Sequence, residues 1–157
     1  MRFNSFTKLV LLVVLFESIG FLLGLITQAN IYPWYANLVK SPLTPPGYVF
    51  SIVWSLLYAL LALVALLVFA HDKNNSTNTL TALFVAQMVM NWAWTPLFFG
   101  LHWVTLSAFW LVGLIILNLL LLIKARKNNR LVIWLLIPYL IWLLFAAYLN
   151  GYIALMN

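Results

Sequence analysis

The sequence contains no cysteine. Disulfides, thiolate nucleophiles and cysteine-ligated zinc are therefore excluded. Carboxylates are almost as rare: Glu17 and Asp72 are the only two, and Asp72 sits in a short polar stretch beside Lys73. His71 and His102 are the only histidines, and they fall at opposite ends of one apolar segment, too far apart to share a metal. No paired nucleophile and base, no phosphate-cradling glycine loop and no zinc spacing occurs. The inventory does not support a conventional hydrolase or metalloenzyme, and neither a metal nor a resident cofactor is expected.

Charge is the second scarcity. Only 6% of residues are charged while 66% are apolar, whereas a soluble domain carries roughly a quarter charged residues. A surface that apolar has to face lipid, so the bilayer is the expected environment. The net charge of +6 does not indicate nucleic acid. The Lys and Arg residues cluster at the ends of apolar runs instead of along one exposed face, as membrane topology requires.

The apolar runs define an all-α integral membrane bundle of five transmembrane helices, a single domain over residues 1–157. The first run covers about 6–27 and is broken only by Glu17. Thr27-Gln28-Ala29 loosely resembles a signal-peptidase site, but a signal core is about 7–15 residues long and rarely holds a carboxylate, so helix 1 is expected to be retained. A proline- and aromatic-rich connection follows over 28–45, and Pro46 suits the first turn of helix 2, where its missing N–H would be unsatisfied anyway. Helix 2 is expected over 46–70. The next apolar stretch, 79–123, would be roughly 67 Å long as one helix, against a hydrocarbon core of about 30 Å. It must be two helices, 79–99 and 103–123, broken around Pro96, Gly100 and His102. Helix 5 fills 131–156. Open backbone cannot lie in lipid with unpaired polar groups, and the runs are too long and too evenly apolar for barrel strands.

Arg2, Lys8, Lys73, Lys124, Arg126, Lys127 and Arg130 fall on one side of this arrangement and Lys40 on the other. That asymmetry predicts a multi-pass cell-membrane protein with its N-terminus in the cytoplasm and its C-terminus outside.

Glu17 is the one ionisable group deep in a span, where it costs about 3 kcal/mol. It is expected as a hydrogen-bonded or protonated carboxyl inside the bundle, and less so as a proton or ligand contact. Gly20 and Gly24 follow on nearly the same face and read as a helix-packing seam within the subunit. Aromatics are abundant, with 8 Trp, 7 Tyr and 11 Phe. Three helices align them with amides: Phe50, Trp54 and Tyr58 on helix 2; Gln87, Asn91, Trp94 and Phe98 on helix 3; Trp142, Ala146 and Asn150 on helix 5. Amides should point away from lipid, and indoles and phenols with a few amides suit a flat apolar ligand. Spacing alone fits a ligand pocket and an interhelical hydrogen-bond network equally well.

Three stretches carry a family resemblance. They are Trp34-Tyr35-Ala36 with Lys40, Pro45-Pro46, Val53-Trp54 and Leu57-Tyr58; Gln87 with Asn91-Trp92-Ala93-Trp94 and Pro96-Leu97-Phe98-Phe99-Gly100; and Pro138-Tyr139-Leu140 with Trp142, Phe145 and Leu149-Asn150. In this order and spacing the chain resembles the TspO/MBR family, the tryptophan-rich sensory proteins that include the translocator protein or peripheral-type benzodiazepine receptor. The resemblance implies a five-helix bundle, usually dimeric, with a pocket open toward the connection between helices 1 and 2. It implies binding of porphyrins and other planar apolar ligands by Tyr35, Pro45, Trp54, Tyr58, Asn91, Trp142 and Ala146, to which the stripe on helix 3 adds Gln87. Porphyrin is then ligand or substrate, not cofactor. Two departures stand out. Ser41 and Leu43 occupy positions where relatives often carry a proline and an aromatic. Gly151 and Leu155 replace the tyrosine and basic residue of the animal sterol motif, so sterol recognition by that motif is expected to be absent.

The function expected is that of a membrane receptor or binding protein for porphyrins, with a sensory or transport role. The alternative is a light- and oxygen-dependent protoporphyrin-degrading enzyme, with Trp54 and Trp142 as the reacting indoles. A homodimer is expected through helix 3. At about 100° per residue, Ala82, Ala86 and Ala93 cluster opposite the amide-bearing face, and small residues allow close approach in lipid.

Overall fold

Five helices account for nearly all of the chain in the computed structural model, which describes residues 4–71, 78–126 and 130–157. Helix α1 spans Ser5–Ala29 and is started by Asn4, whose side chain accepts the Thr7 N–H at 2.7 Å, a standard N-cap. Helix α2 spans Gly47–His71, α3 Asn78–Thr95, α4 Val104–Ala125 and α5 Arg130–Met156. No strand occurs among the described residues. All five helices are long and apolar enough to cross a bilayer. The chain is a multi-pass membrane protein.

Helix α2 packs between α1 and α5, and α4 packs between α3 and α5. The core is a set of inward stripes. Ala62 and Ala65 on α2 are fully buried and let neighbouring backbones approach closely, while Leu111, Leu114 and Leu121 on α4 meet Leu136, Tyr139 and Leu143 on α5. Large apolar side chains such as Phe21, Phe109, Trp134 and Leu155 point outward. In water that surface would drive aggregation; in lipid it is the solvent-facing side.

The structure adds detail at two sequence-based boundaries. Helix 3 passes through Pro96 and ends at Gly100, close to its expected end at residue 99. The chain continues through Pro96–Gly100 as a wider π turn, with the Leu101 N–H reaching the Pro96 carbonyl at 2.8 Å. Proline has no N–H to lose at the start of such a turn, and its neighbours keep the remaining backbone groups paired. The break falls at His102, one of the three residues expected to mark it, which has φ 59, a left-handed conformation uncommon for a residue with a Cβ. The 28–45 connection is likewise less open than expected. Helix α1 runs on to Ala29, and a π turn over Ile31–Tyr35 folds the next segment over the bundle end.

The remainder of that connection is a lid fastened by side chains. Lys40 Nζ donates to the carbonyls of Tyr35, Ala36 and Leu38 at 2.9, 3.0 and 2.8 Å. Asn157 clamps Val39 from the C-terminal end of α5: its Oδ1 accepts the Val39 N–H at 2.8 Å and its Nδ2 donates to the Val39 carbonyl at 3.1 Å. Ser41 Oγ and the Tyr148 hydroxyl lie 2.9 Å apart. At the opposite end of the bundle stand Lys8, Lys124, Arg126 and Arg130. Arg2, Asp72, Lys73 and Lys127 lie outside the described residues.

Candidate functional site

Asn91 is the centre of the bundle's polar interior. It lies on the inward face of α3, 4% exposed, where an amide in lipid would be unfavourable. Both ends of the amide are used. The Tyr58 hydroxyl on α2 donates to Asn91 Oδ1 at 3.3 Å, and Asn91 Nδ2 donates to the Tyr139 hydroxyl on α5 at 3.0 Å. Three helices are thereby joined at one level. The Tyr58 ring packs against Trp54 with centroids 5.5 Å apart, and Phe50 meets Trp142 edge-on at 5.6 Å. Trp142 and Ala146 pack against the same core. The indole N–H of Trp142 is buried with no acceptor among the described residues.

A second level lies nearer the lid. Trp94 stacks on Phe98 at 5.1 Å, and its indole N–H donates to Asn150 Oδ1 at 3.1 Å. Ser107 Oγ donates to the same oxygen at 3.0 Å, and Asn150 Nδ2 donates to the Val104 carbonyl at 3.0 Å. Above this, Trp34 and Tyr35 pack on Phe98 and Phe99. The His102 ring stacks on Trp34 at 3.9 Å, and its Nε2 lies 3.0 Å from Asn30 Oδ1. Lys40 Nζ sits 5.0 Å over the Tyr35 ring, an attractive position for a cation above an aromatic face. Burial pushes the Tyr35 phenol above its ordinary range, which keeps that ring neutral.

Trp54, Tyr58 and Asn91 thus meet directly, and Trp142 and Ala146 line the same core. Tyr35 belongs to the cluster beneath the lid, linked inward through Phe98 and Trp94. Pro45 is half-buried at the start of α2. Gln87 is one turn from Asn91 toward the far end of α3; it is fully buried but bonds to none of these residues. Ser107 and Asn118 were not singled out from the sequence, and Tyr139 entered only through the family resemblance, not as a site residue. Tyr139 was recoverable, because it lies three residues before Trp142 on the buried stripe of α5 that also carries Leu136 and Leu143.

Two expectations need correction. Glu17 is not a hydrogen-bonded carboxyl inside the bundle. It is half-buried on the flank of α1, in a shallow outer hollow of about 400 Å³ with Ser18, Phe21 and Leu22, and has no hydrogen bond among the described residues. Phe16 is the sole buried residue of α1, so that helix is held along one narrow line and Glu17 beside it stays only half-buried. The glycine seam is also only half present. A Cβ on Gly20 would lie 2.6 Å from the Tyr58 ring, whereas one on Gly24 would meet nothing within 4 Å. Further along, α1 approaches the π turn through Ile26, near Gly100.

No group of His, Asp or Glu side chains that could hold a metal occurs among the described residues. The fold and interior define a polytopic helical membrane protein with an aromatic, carboxamide-bearing interior under a latched lid. The sequence profile of the TspO/MBR family matches residues 10–156, and the chain belongs to that family. It is 33% identical over 150 residues to the tryptophan-rich protein TspO of Archaeoglobus fulgidus, covering 96% of this chain and 97% of that protein. Over 137 residues it is 32% identical to the translocator protein of Bos taurus, covering 83% and 79%. Protein CrtK of Rhodobacter capsulatus is 34% identical over 125 residues, 74% of each chain.

Proposed function

We propose that this protein is a membrane receptor or binding protein for porphyrins and similar planar, largely apolar ligands. The observation that supports this most is the cluster of Trp54, Tyr58, Asn91 and Trp142. It offers flat apolar faces together with a buried, unpartnered indole N–H. Flat rings recognise flat rings, and a few placed polar groups fix orientation. Ala146 on the same core leaves room where a larger side chain would not, and Tyr35 and Pro45 of the lid are proposed as further contacts. Membership of a family whose relatives are named tryptophan-rich and translocator proteins is consistent with a sensory or carrier role. The cell membrane of a bacterium is the proposed setting, with the N-terminus and the basic end in the cytoplasm. A homodimer through the exposed Ala82 and Ala86 face of α3 is the proposed assembly.

The test is a tryptophan-quenching titration with protoporphyrin, run in the dark and in the light. Saturable quenching with unchanged pigment supports a receptor; absence of saturable binding overturns it. Pigment loss under illumination with oxygen would favour degradation, for which the indoles of Trp54 and Trp142 are the oxidisable groups at the site. Trp142→Phe and Trp54→Phe are expected to weaken dark binding by about 10-fold, the equivalent of one lost hydrogen bond or stacking contact. A Leu→Ala control at the lipid-facing Leu119 of α4 is expected to change little. Equal effects from both groups would mean that the aromatic stripe is packing alone.

A further inference from the structure

Glu17 takes no part in the aromatic cluster, and the proposed function makes no use of it. Among the described residues it is the only acidic side chain. It lies 12 residues from each end of α1, about 18 Å at the rise of an α-helix. A hydrocarbon core about 30 Å thick therefore places it near mid-depth, where an ionisable side chain is expensive and marks a functional site by default.

Its surroundings open to the membrane. Glu17 lines a hollow of about 400 Å³ with Ser18, Phe21 and Leu22, all from α1. Phe21 and Leu22 are 68% and 60% exposed, and Ser18 is exposed with them. The hollow is thus reached from the lipid side. Glu17 makes no hydrogen bond to any described residue, and the hydrocarbon at this depth offers none. None of the residues of the aromatic cluster lines the hollow.

The chemistry of the hollow selects its occupant. A hard divalent cation takes about six oxygens and would find one carboxyl and one hydroxyl. An anion would find no cation. A phospholipid keeps its head group at the interface, about 15 Å from mid-depth. A second copy of the chain would have to approach over Phe21 and Leu22, whose bulk holds helix backbones apart. A basic nitrogen meets the carboxyl in either form. It accepts the proton of the acid or, once protonated, donates to the carboxylate, and such charge-assisted bonds are about twice as strong as neutral ones. Phe21 in the same lining offers an aromatic face, to which an ammonium is attracted. We propose that Glu17, Ser18, Phe21 and Leu22 form a lipid-side binding site for membrane-dissolved tertiary amines whose nitrogen is flanked by apolar groups. Apolar arms on every side let the nitrogen leave the interface and reach mid-depth, and they fill the rest of the hollow. The inference does not depend on which ligand the aromatic cluster takes.

The experiment uses the full chain in liposomes and dicyclohexylcarbodiimide, a lipid-soluble reagent that adds to carboxylic acids. Labelling is mapped by mass spectrometry at constant pH, and Glu17→Gln gives the background. Glu17 is expected to be labelled. Tripropylamine is expected to slow that labelling about 10-fold when present at about ten times its dissociation constant. Tripropylmethane, which has the same shape without the nitrogen, should not slow it. Absence of labelling in the unaltered protein would mean that the carboxyl is not reached from lipid, and overturns the proposal even if the variant fails to fold. Labelling that neither compound slows, or that both slow equally, overturns it too, because the hollow is then filled by lipid alone. Labelling slowed by a higher protein-to-lipid ratio but not by the amine would assign the hollow to a second copy of the chain, and likewise overturns it.

Discussion

Asn91 illustrates how one residue can tie several helices together at the proposed site. Its amide joins α2, α3 and α5 through two phenols, so losing it leaves the Tyr58 and Tyr139 hydroxyls buried without that partner. Asn91→Leu is expected to destabilise the bundle by about 1–3 kcal/mol, read as a lower unfolding midpoint in detergent. Gly20 acts on the same cluster from outside. Gly20→Ala would set a Cβ 2.6 Å from the Tyr58 ring and force the ring to shift, loosening its 3.3 Å bond to Asn91. Overpacking of this kind costs about 1–3 kcal/mol. Porphyrin affinity should fall with stability, whereas Gly24→Ala, with open space around it, should alter neither. Trp54, Tyr58 and Asn91 were legible in the sequence because amides and aromatics at four-residue spacing must share an inward face. Glu17 was not legible in the same way. Its cost in lipid is a property of residue type, while its half-buried place follows from how narrowly α1 is held.

At the scale of elements, hydropathy alone separates the five helices, because a span of about 30 Å fixes their length. It does not predict what happens at Pro96. Proline's missing N–H removes one bond of an α-helix, and the sequence cannot say whether the chain stops there or widens by one residue. Here it widens, and the reversal is left to His102, whose left-handed backbone is supported by stacking on Trp34. The lid was equally opaque in detail. Prolines and aromatics mark a rigid connection, but its fastening to Asn157 joins positions 118 residues apart. That clamp makes the C-terminal end of α5 part of the lid. Asn157→Ala removes both bonds to Val39, and amide hydrogen exchange at Val39 is expected to accelerate about 5–30-fold, the range for 1–2 kcal/mol. Exchange at Asn91 should be unaffected. Unchanged protection at Val39 would mean that Lys40 and the Ser41–Tyr148 contact hold the lid without it.

At the scale of the whole molecule, charge bears on the proposed orientation of the bundle and small residues on its proposed pairing. Lys8, Lys124, Arg126 and Arg130 share one end and Lys40 the other, so reporter fusions after residues 75 and 127 should both read cytoplasmic. An outward reading at either would reverse the bundle. The proposed homodimer would form on the outer face of α3, where Ala82 and Ala86 are exposed beside Val85 and Val89 while Gln87, Asn91 and Phe98 are buried behind them. Lipid tails give no hydrophobic drive for association, so subunits meet where backbones can approach closely over small side chains. The rival face is on α1, where Gly24 is exposed and meets nothing within its own chain. Unlike α3, that face carries Phe21 and Leu25 beside its glycine, and bulky neighbours hold backbones apart. Ala86→Leu, or Ala82→Leu with it, is therefore expected to convert the dimer to monomer in detergent and in bilayers with porphyrin binding retained, because the site lies on the opposite side of α3. An intact dimer in those variants, together with its loss in Gly24→Leu, would place the interface on α1.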